Sequence, residues 1–249
     1  MFKTEIGHKI IHLERVDSTN NYTAKLLKTD VIEHGTVIMA DMQTTGRGQR
    51  GNAWQSDPFA NLMMSIYVVP KQLTQDNHLV LNHCVSLALK GWLEEKLKLV
   101  NIKWPNDILV QNKKIAGVLI ENSWQGNQLK HSIIGIGLNV NQDRFEQAKS
   151  TSLYLESNKR YTPRILALEF CAQLEDYFKQ LNTNTIPILK KRYDEQLWLK
   201  DQLSDFITHD KQQISGKIQG TNAHGDLIVV TSTETLTFAN GELQFTDRL

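Results

Sequence analysis

Residues 101–139 have the sequence NIKWPNDILVQNKKIAGVLIENSWQGNQLKHSIIGIGLN, and this stretch sets the class of fold. Its apolar and β-branched residues fall into short runs separated by Asn, Asp, Lys, Gln and Gly, residue types that favour turns. The runs predict four strands, over 102–104, 108–110, 115–121 and 129–139. Four strands joined by short turns indicate a strand-rich sheet.

The residues on either side predict further strands and the helices that would cover the sheet. Residues 76–97 carry apolar side chains at helical spacing, and Pro163 stands where a proline can begin a helix at little cost. The predicted helices are 19–28, 76–97, 164–181 and 187–198, and the further strands are 9–16, 36–42 and 61–69. Residues 143–161 have no clear period and predict a mobile loop. The expected fold class is α+β, with a mixed β-sheet flanked by helices.

The sequence pattern changes after Lys200, where short segments of alternating apolar and polar residues, typical of strands, follow one another. They are predicted over 206–209, 213–219, 227–230 and 234–238, with turns at 222–225 and 240–241. About 50 residues of this kind suit a small SH3-like β-barrel. We therefore expect two domains, 1–199 and 200–249.

Composition excludes several classes of protein. The 249 residues include 28 Lys and Arg against 27 Asp and Glu, a net charge of +1, so the chain has no general attraction for nucleic acid or an anionic membrane. No apolar run reaches the roughly 18 residues of a spanning helix, and the N-terminus lacks a signal-peptide core. Cys84 and Cys171 are too few for a disulfide framework or a zinc site. These features predict a cytoplasmic protein that binds no membrane.

A glycine loop, Gly46-Arg47-Gly48-Gln49-Arg50-Gly51, matches the dinucleotide-binding pattern G-x-G-x-x-G. That reading requires a helix after the glycines and an acidic residue about 20 positions on, whereas turn residues follow and position 71 is Lys71. The glycines still allow backbone N–H groups to approach a ligand, and the two arginines add charge suited to phosphate or carboxylate. An ordinary surface loop with solvated arginines is the alternative.

Four other segments each have an ordinary structural explanation when taken singly. Residues 17–20 (DSTN) suit a helix N-cap, and 103–107 (KWPND) suit a β-turn. Residues 113–117 (KKIAG) suit a solvated hairpin end. The glycines of 135–139 (GIGLN) suit tight packing of a buried strand.

Taken in order, these segments resemble the biotin–protein ligases, which biotinylate the carrier subunit of biotin-dependent carboxylases. The family pattern is Asp-Ser-Thr-Asn, Gln-x-x-Gly-Arg-Gly-x-x-Gly-x-x-Trp, Lys-Trp-Pro-Asn-Asp, Lys-x-x-Gly-x-Leu-x-Glu and Gly-x-Gly-x-Asn. Three runs of this pattern are present without a break, at 17–20, 46–48 and 103–107. The other matching residues are Gln43, Gly51, Trp54, Lys114, Gly117, Leu119, Glu121, Gly135, Gly137 and Asn139. The resemblance spans about residues 10–140. It implies a class II synthetase-like catalytic domain that uses ATP to make biotinyl-5′-AMP and transfers biotin to a carrier lysine.

The resemblance also implies roles for individual residues. Those expected to bind biotin are Ser18, Thr19, Asn20, Gln43, Gly46, Arg47, Gly48, Gln49, Trp54, Lys114, Gly117 and Gly135. Those expected to bind ATP are Arg50, Lys103, Asn106, Asp107 and Asn139, with Asp107 also holding Mg²⁺. Lys114, Arg47 and Asp107 are the expected catalytic residues. Lys114 would neutralise the charge that opposes attack of the biotin carboxylate on the α-phosphate.

One position departs from the family pattern, because Gln49 stands where the family most often has arginine. A neutral amide cannot supply charge to hold the adenylate, so we expect Gln49→Arg to slow its escape.

Only about 16 residues precede Asp17, too few for the DNA-binding domain of some family members. The expected partner is therefore a biotin carboxyl carrier protein and not nucleic acid, and a homodimer is possible.

Two other functions stay open. A lipoate or octanoate–protein ligase would run the same acyl-adenylate chemistry, although the biotin-type loop ending at Trp54 argues against it. An inactive biotin-binding protein is the other alternative. The presence of both Lys114 and Asp107 argues against that, because a binder has little need of phosphate and Mg²⁺ ligands.

Overall fold

A computed structural model describes residues 5–29, 32–146 and 149–246. The first part of the chain contains both strands and helices. Its strands are β1 (Ile10–Val16), β2 (Val37–Gln43), β3 (Leu62–Val68), β4 (Val100–Lys103), β5 (Asp107–Val110), β6 (Lys113–Gln125) and β7 (Gln128–Leu138). Its helices are α1 (Thr19–Thr29), α2 (Leu79–Glu94), α3 (Leu153–Ser157), α4 (Pro163–Gln180) and α5 (Ile186–Glu195).

The seven strands form one sheet in the order β1-β2-β3-β7-β6-β5-β4. β1 and β2 are parallel and are joined through α1, whereas the other neighbouring pairs are antiparallel. The prediction of a mixed sheet flanked by helices is confirmed. β3 lies in the interior of the sheet, next to the central strand β7, and is buried along almost all its length, as expected for a strand covered on both faces.

Helices α2 and α4 form the principal helical layer. Both carry a stripe of buried apolar side chains, and Trp92 of α2 meets Phe170 of α4 edge to face at 5.8 Å. Pro163 begins α4 where a missing N–H costs nothing. The helix predicted over 76–97 is shorter in the structure, from Leu79 to Glu94.

The segment 143–161, expected to be a mobile loop, is partly helical. Ser152 caps α3, its Oγ accepting a hydrogen bond from the Leu155 backbone N–H at 3.2 Å. The prediction missed this helix because its five residues are too few to show a period. Residues 147 and 148 of the segment lie outside the described part of the chain.

A second, smaller sheet follows α5. Its strands are β8 (Leu203–Thr208), β9 (Gln213–Thr221), β10 (Leu227–Val230), β11 (Thr235–Phe238) and β12 (Leu243–Phe245), in the order β11-β10-β9-β8-β12. All its neighbouring strands are antiparallel, and Phe206, Ile218 and Val229 are buried at its core. β12 was not predicted from the sequence. The division of the chain at residue 200 stays a prediction.

The large sheet and the turn that follows β4 contact the segment after α5 and a turn of the small sheet. Leu197 forms an isolated parallel bridge with Ile102 of β4, and the Trp104 indole N–H donates to the Gly225 carbonyl at 2.9 Å. These contacts bring the small sheet against the turn between β4 and β5. Among the described residues, no helix is both long and apolar enough to cross a lipid bilayer.

Candidate active site

A cleft of about 620 Å³ lies between the large sheet, the glycine loop (residues 46–51) and the turn between β11 and β12. Most of the residues singled out in the sequence line this cleft. These are Ser18, Thr19, Asn20, Gln43, Arg47, Gly48, Gln49, Arg50, Trp54, Lys103, Asn106, Asp107, Lys114, Gly117 and Gly135. Gly46 and Asn139 do not line it.

One end of the cleft, here called the recess, is built from buried polar side chains at the start of α1. The Gln43 amide oxygen accepts from the Thr19 backbone N–H at 2.8 Å and from its hydroxyl at 3.2 Å. Behind them, Ser65 Oγ lies 2.7 Å from Thr19 Oγ1 and 2.6 Å from Asn20 Oδ1. Because Thr19, Asn20 and Ser65 are buried and hydrogen-bonded, their orientation is fixed before any ligand enters.

Glu121 of β6 joins the recess to the glycine loop. One of its oxygens accepts from the Asn20 amide at 2.8 Å, and the other pairs with the Arg47 guanidinium at 2.7 Å. Arg47 also donates to Asn21 Oδ1 at 2.6 Å. A single carboxylate therefore positions a side chain of the recess and the first arginine of the loop.

Two glycines of β7 make room for side chains that enter the cleft. A Cβ on Gly135 would lie 2.5 Å from Asn20 Oδ1, and one on Gly137 would lie 2.4 Å from Trp54 Cε2. Real Cβ atoms do not approach so closely, so both positions must be glycine for Asn20 and Trp54 to sit where they do. The two glycines thus serve close packing against the site.

The other end of the cleft, here called the charged end, is centred on an ion pair. Lys114 Nζ lies 2.7 Å from Asp107 Oδ1 and 5.6 Å from the centre of a Trp54 ring. The pair arises from the register of β5 and β6, in which Asp107 stands opposite Gly117 and a bulge brings Leu109 opposite Lys114.

Lys103 lies at the same end, close to the small sheet. Its ammonium group is 5.2 Å from the Phe245 ring centre and 5.9 Å from that of Trp198. Burial lowers the pKa of Lys103, an effect that the nearby Asp107 carboxylate opposes. Lys103 therefore presents a partly desolvated positive charge, which strengthens its attraction for phosphate.

The turn that carries Asn106 and Asp107 is held from behind by two helices. The Pro105 carbonyl accepts hydrogen bonds from the Asn82 amide of α2 at 2.9 Å and from the Tyr193 hydroxyl of α5 at 2.8 Å. Asn106 donates to the Val118 carbonyl at 2.5 Å. Residues far apart in sequence therefore fix the path of this turn.

Two of the predicted residues lie elsewhere. Asn139 is buried and donates to the Thr151 carbonyl at 2.9 Å, beside a second groove that shares Lys114 with the cleft. Gly46 lies against the Trp54 carbonyl and lines that second groove. Binding roles for both stay predictions.

Some residues of the site were not singled out from the sequence. Ser65 gave no signal, because a serine within a strand is unremarkable. Glu121 belonged to the motif but was given no role. Asn240 and Gly241 were identified only as a turn, yet they line the cleft more than 180 residues away in sequence from the glycine loop.

Comparison with known proteins agrees with this geometry. The sequence profile described as the biotin/lipoate A/B protein ligase family matches residues 12–139. The chain belongs to this family. The matched residues run from β1 to the end of β7, and so include every strand of the large sheet.

Individual relatives in this family cover different shares of the chain. The bifunctional ligase/repressor BirA of Bacillus subtilis is 36% identical over 145 residues, which are 56% of this chain and 43% of that protein. The biotin–[acetyl-CoA-carboxylase] ligase of Paracoccus denitrificans is 32% identical over 135 residues, 51% of this chain and 53% of that protein. The chain thus matches about half the length of these relatives.

A solved structure extends the similarity to nearly the whole chain. The biotin protein ligase from Aquifex aeolicus, in complex with biotin and ATP, superposes with a TM-score of 0.77 at 28% identity. The superposition covers 96% of this chain and 98% of that one. Both sheets therefore belong to the shared architecture.

Proposed function

We propose that the protein is an ATP-dependent biotin–protein ligase. In the first step a biotin carboxylate oxygen attacks the α-phosphorus of ATP, giving biotinyl-5′-AMP and pyrophosphate. In the second, a lysine amine of a carrier protein attacks the acyl carbon, an amide forms and AMP leaves. The observation that carries the proposal is that the recess and the charged end share one cleft, with Lys114 at the latter.

The recess suits the polar head of biotin, a neutral ureido group that both donates and accepts hydrogen bonds. Ser18, Thr19 and Asn20 present hydroxyl and amide groups there, and Gln43 lies beside them. Trp54 supplies an apolar wall for the rest of the ligand. Because the recess is already ordered, little side-chain freedom would be lost on binding.

The charged end suits the reacting groups. Attack of a carboxylate on a phosphate brings negative charges together, and fixed cations lower that barrier. Lys114 and Arg47 would carry that charge nearest the acyl group, and Lys103 and Arg50, which also line the cleft, would carry it towards the nucleotide. Lys114 is paired with Asp107, and Arg47 is paired with Glu121.

Asp107 fits a Mg²⁺ ion that binds together with the nucleotide. Mg²⁺ usually takes one or two protein carboxylates and completes its shell with water and substrate phosphates. The described residues contain no group of three or more His, Cys, Asp or Glu side chains able to hold a metal, and Asp107 provides a single carboxylate in the cleft. When bound, Mg²⁺ would neutralise charge on the phosphates.

The partner of the second step is proposed to be a biotin carboxyl carrier protein, in keeping with the acetyl-CoA-carboxylase ligase named among the relatives. The two cysteines are buried free thiols, which suits a reducing, cytoplasmic setting. A homodimer and the lack of a nucleic-acid partner stay predictions.

The test is exchange of labelled pyrophosphate into ATP, with Mg²⁺ present and no acceptor protein. Biotin, lipoate and octanoate are compared in separate reactions. Exchange with biotin alone supports the proposal, whereas exchange with lipoate or octanoate alone would assign the chain to the other branch of its family. No exchange with any acid would favour an inactive binding protein.

A further inference from the structure

The turn between β11 and β12 reaches across the cleft to the glycine loop. The Asn240 side-chain amide donates to the Gln49 side-chain oxygen at 2.6 Å, although 191 residues separate the two in sequence. Both side chains line the cleft and are half-buried. This is a direct side-chain bond between the small sheet and the loop that borders the proposed adenylate site.

The next residue of the turn is fitted as closely to the same loop. Gly241 has a positive φ of 86°, a conformation that favours glycine, and a Cβ there would lie 2.3 Å from Arg50 Nη1. Any larger residue would have to push the guanidinium aside. Among the described residues Arg50 has no ion-pair partner, so the turn lies against a cation that no carboxylate neutralises.

The glycine loop is thus anchored to two different parts of the molecule. Its first arginine, Arg47, is paired with Glu121 of the large sheet, and Gln49 is bonded to Asn240 of the small sheet. Between the anchors, the loop's own backbone bonds join Gly48 to Asn52 at 2.7 Å and Asn52 to Gln49 at 3.1 Å. If the second anchor opens, only the first ties the loop's side chains to the rest of the cleft.

We infer that Asn240 is a positioning residue of the ligase reaction, and that its bond to Gln49 keeps the glycine loop closed over the acyl-adenylate. This inference rests on the proposed function. The neutral Gln49, whose sequence context pointed to weak retention of the adenylate, gains a structural role as the hydrogen-bond partner of the small sheet. The small sheet thereby sets how long the intermediate stays bound before a carrier lysine reaches it.

The first measurement is the release of labelled biotinyl-5′-AMP from the full chain. The adenylate is formed with biotin, labelled ATP and Mg²⁺ and no acceptor, and its dissociation is followed after a chase with unlabelled ligands. A neutral hydrogen bond of this kind changes a rate by about 2–10-fold, so Asn240→Ala should speed release by that factor. Gln49→Ala should do the same, and the double variant should be no faster than either single one, because all three lack the same bond.

Two further variants separate positioning from a general loss of structure. The exchange Gln49→Asn with Asn240→Gln keeps two amides and their combined length, and should return release to within about twofold of the wild type. Asn184→Ala, the same change at an exposed turn between α4 and α5, is the control and should have no effect. If Asn240→Ala does not fold, Gln49→Ala breaks the bond from its other side.

A second readout does not depend on activity. Hydrogen exchange at the Gly48 and Asn52 amides of the ligand-free chain should become about 2–10-fold faster in Asn240→Ala, because the loop opens more often. Unchanged exchange, or effects of Asn240→Ala and Gln49→Ala that simply multiply, would overturn the inference. A wild-type chain that forms no adenylate, but whose loop exchange still responds to Asn240→Ala, would instead contradict the proposed function.

Discussion

The two ends of the cleft are held in place by different kinds of interaction. In the recess, Thr19, Asn20 and Ser65 are buried and bonded to one another within the large sheet and its first helix. At the charged end, Lys114 and Asp107 are partly exposed, and the neighbouring groups come from turns, two helices and the small sheet. One end is fixed by the fold of one sheet, whereas the other depends on several elements remaining together.

This difference corresponds to the two tasks of the proposed reaction. Recognition of an uncharged head group gains from rigid hydrogen bonds that are already formed. In that reaction the charged end would accept a nucleotide, release pyrophosphate and admit a lysine, and so would have to open and close. Substitutions at the two ends should therefore affect different kinetic constants.

The largest effect is expected at Lys114. Lys114→Ala removes the cation proposed to lie nearest the reacting carboxylate, and should slow adenylate formation by about 10²–10³-fold with a much smaller change in KM for biotin. Pyrophosphate exchange measures this rate. Lys113→Ala is the matched control, because Lys113 is adjacent and exposed, and an equal loss there would contradict a specific role for Lys114.

Glu121 tests the link between the two ends. Glu121→Gln removes the charge that pairs with Arg47 and weakens the bond to Asn20, so KM for biotin should rise roughly tenfold or more. Steady-state exchange at varied biotin concentration measures this change. Glu14→Gln, at an exposed position on β1, should leave KM unaltered. A normal KM in Glu121→Gln would mean that the recess does not need this carboxylate.

Acidification should lower the free energy of unfolding through His83, which packs against Tyr193 behind the charged end. Burial lowers the pKa of His83 to about 3, and its ring lies 4.3 Å from that of Tyr193. Because the folded state binds this proton less readily than the unfolded state, stability is present above the unfolded pKa of about 6.5 and is lost as pH falls towards 3. The loss approaches about 1.4 kcal/mol per pH unit within that window.

Denaturant titrations between pH 7 and pH 4 measure this contribution. His83→Phe keeps an aromatic ring against Tyr193 without a titrating nitrogen, so its stability should fall less steeply with acid than that of the wild type. The same change at the exposed His209 should leave the slope as it was. Equal slopes in wild type and His83→Phe would assign the acid sensitivity to other groups.

The smallest effect is expected at Tyr193. Tyr193→Phe removes one of the two donors to the Pro105 carbonyl, while Asn82 retains the other. The expected cost is about 1 kcal/mol of stability and a several-fold rise in KM for ATP, with KM for biotin nearly constant. Thermal unfolding and the two KM values measure this. A larger change for biotin than for ATP would contradict the division of the cleft into two ends.

Local patterns predicted much of the fold and of the site. The strands between 101 and 139 and the amphipathic helices follow from apolar spacing, which reflects burial directly. The motifs contain Gln43, Trp54, Lys114 and Asp107 within about 70 residues, because three of them stand on strands of one sheet and Trp54 lies in the loop between two of those strands. Their roles in binding and catalysis remain proposals.

What could not be predicted depends on contacts between distant residues. The bond between Gln49 and Asn240 joins the glycine loop to a turn of the small sheet, and no periodicity marks either residue. Ser65 has no signal because its role comes from the side chains that happen to face it across the sheet. The ion pair of Lys114 with Asp107 needs a bulge in β5–β6 pairing, which a strand pattern does not specify.

Two cations of the cleft already have counter-ions within the protein, so binding of an anion there is an exchange of partners. Arg47 and Lys114 already have carboxylate partners, so an incoming anion must replace Glu121 or Asp107 to gain the full attraction. A simple anion such as acetate or sulfate would only exchange one anionic partner for another. A ligand that also fills the recess would add hydrogen bonds there, so we expect the two pairs to favour such a ligand over simple anions.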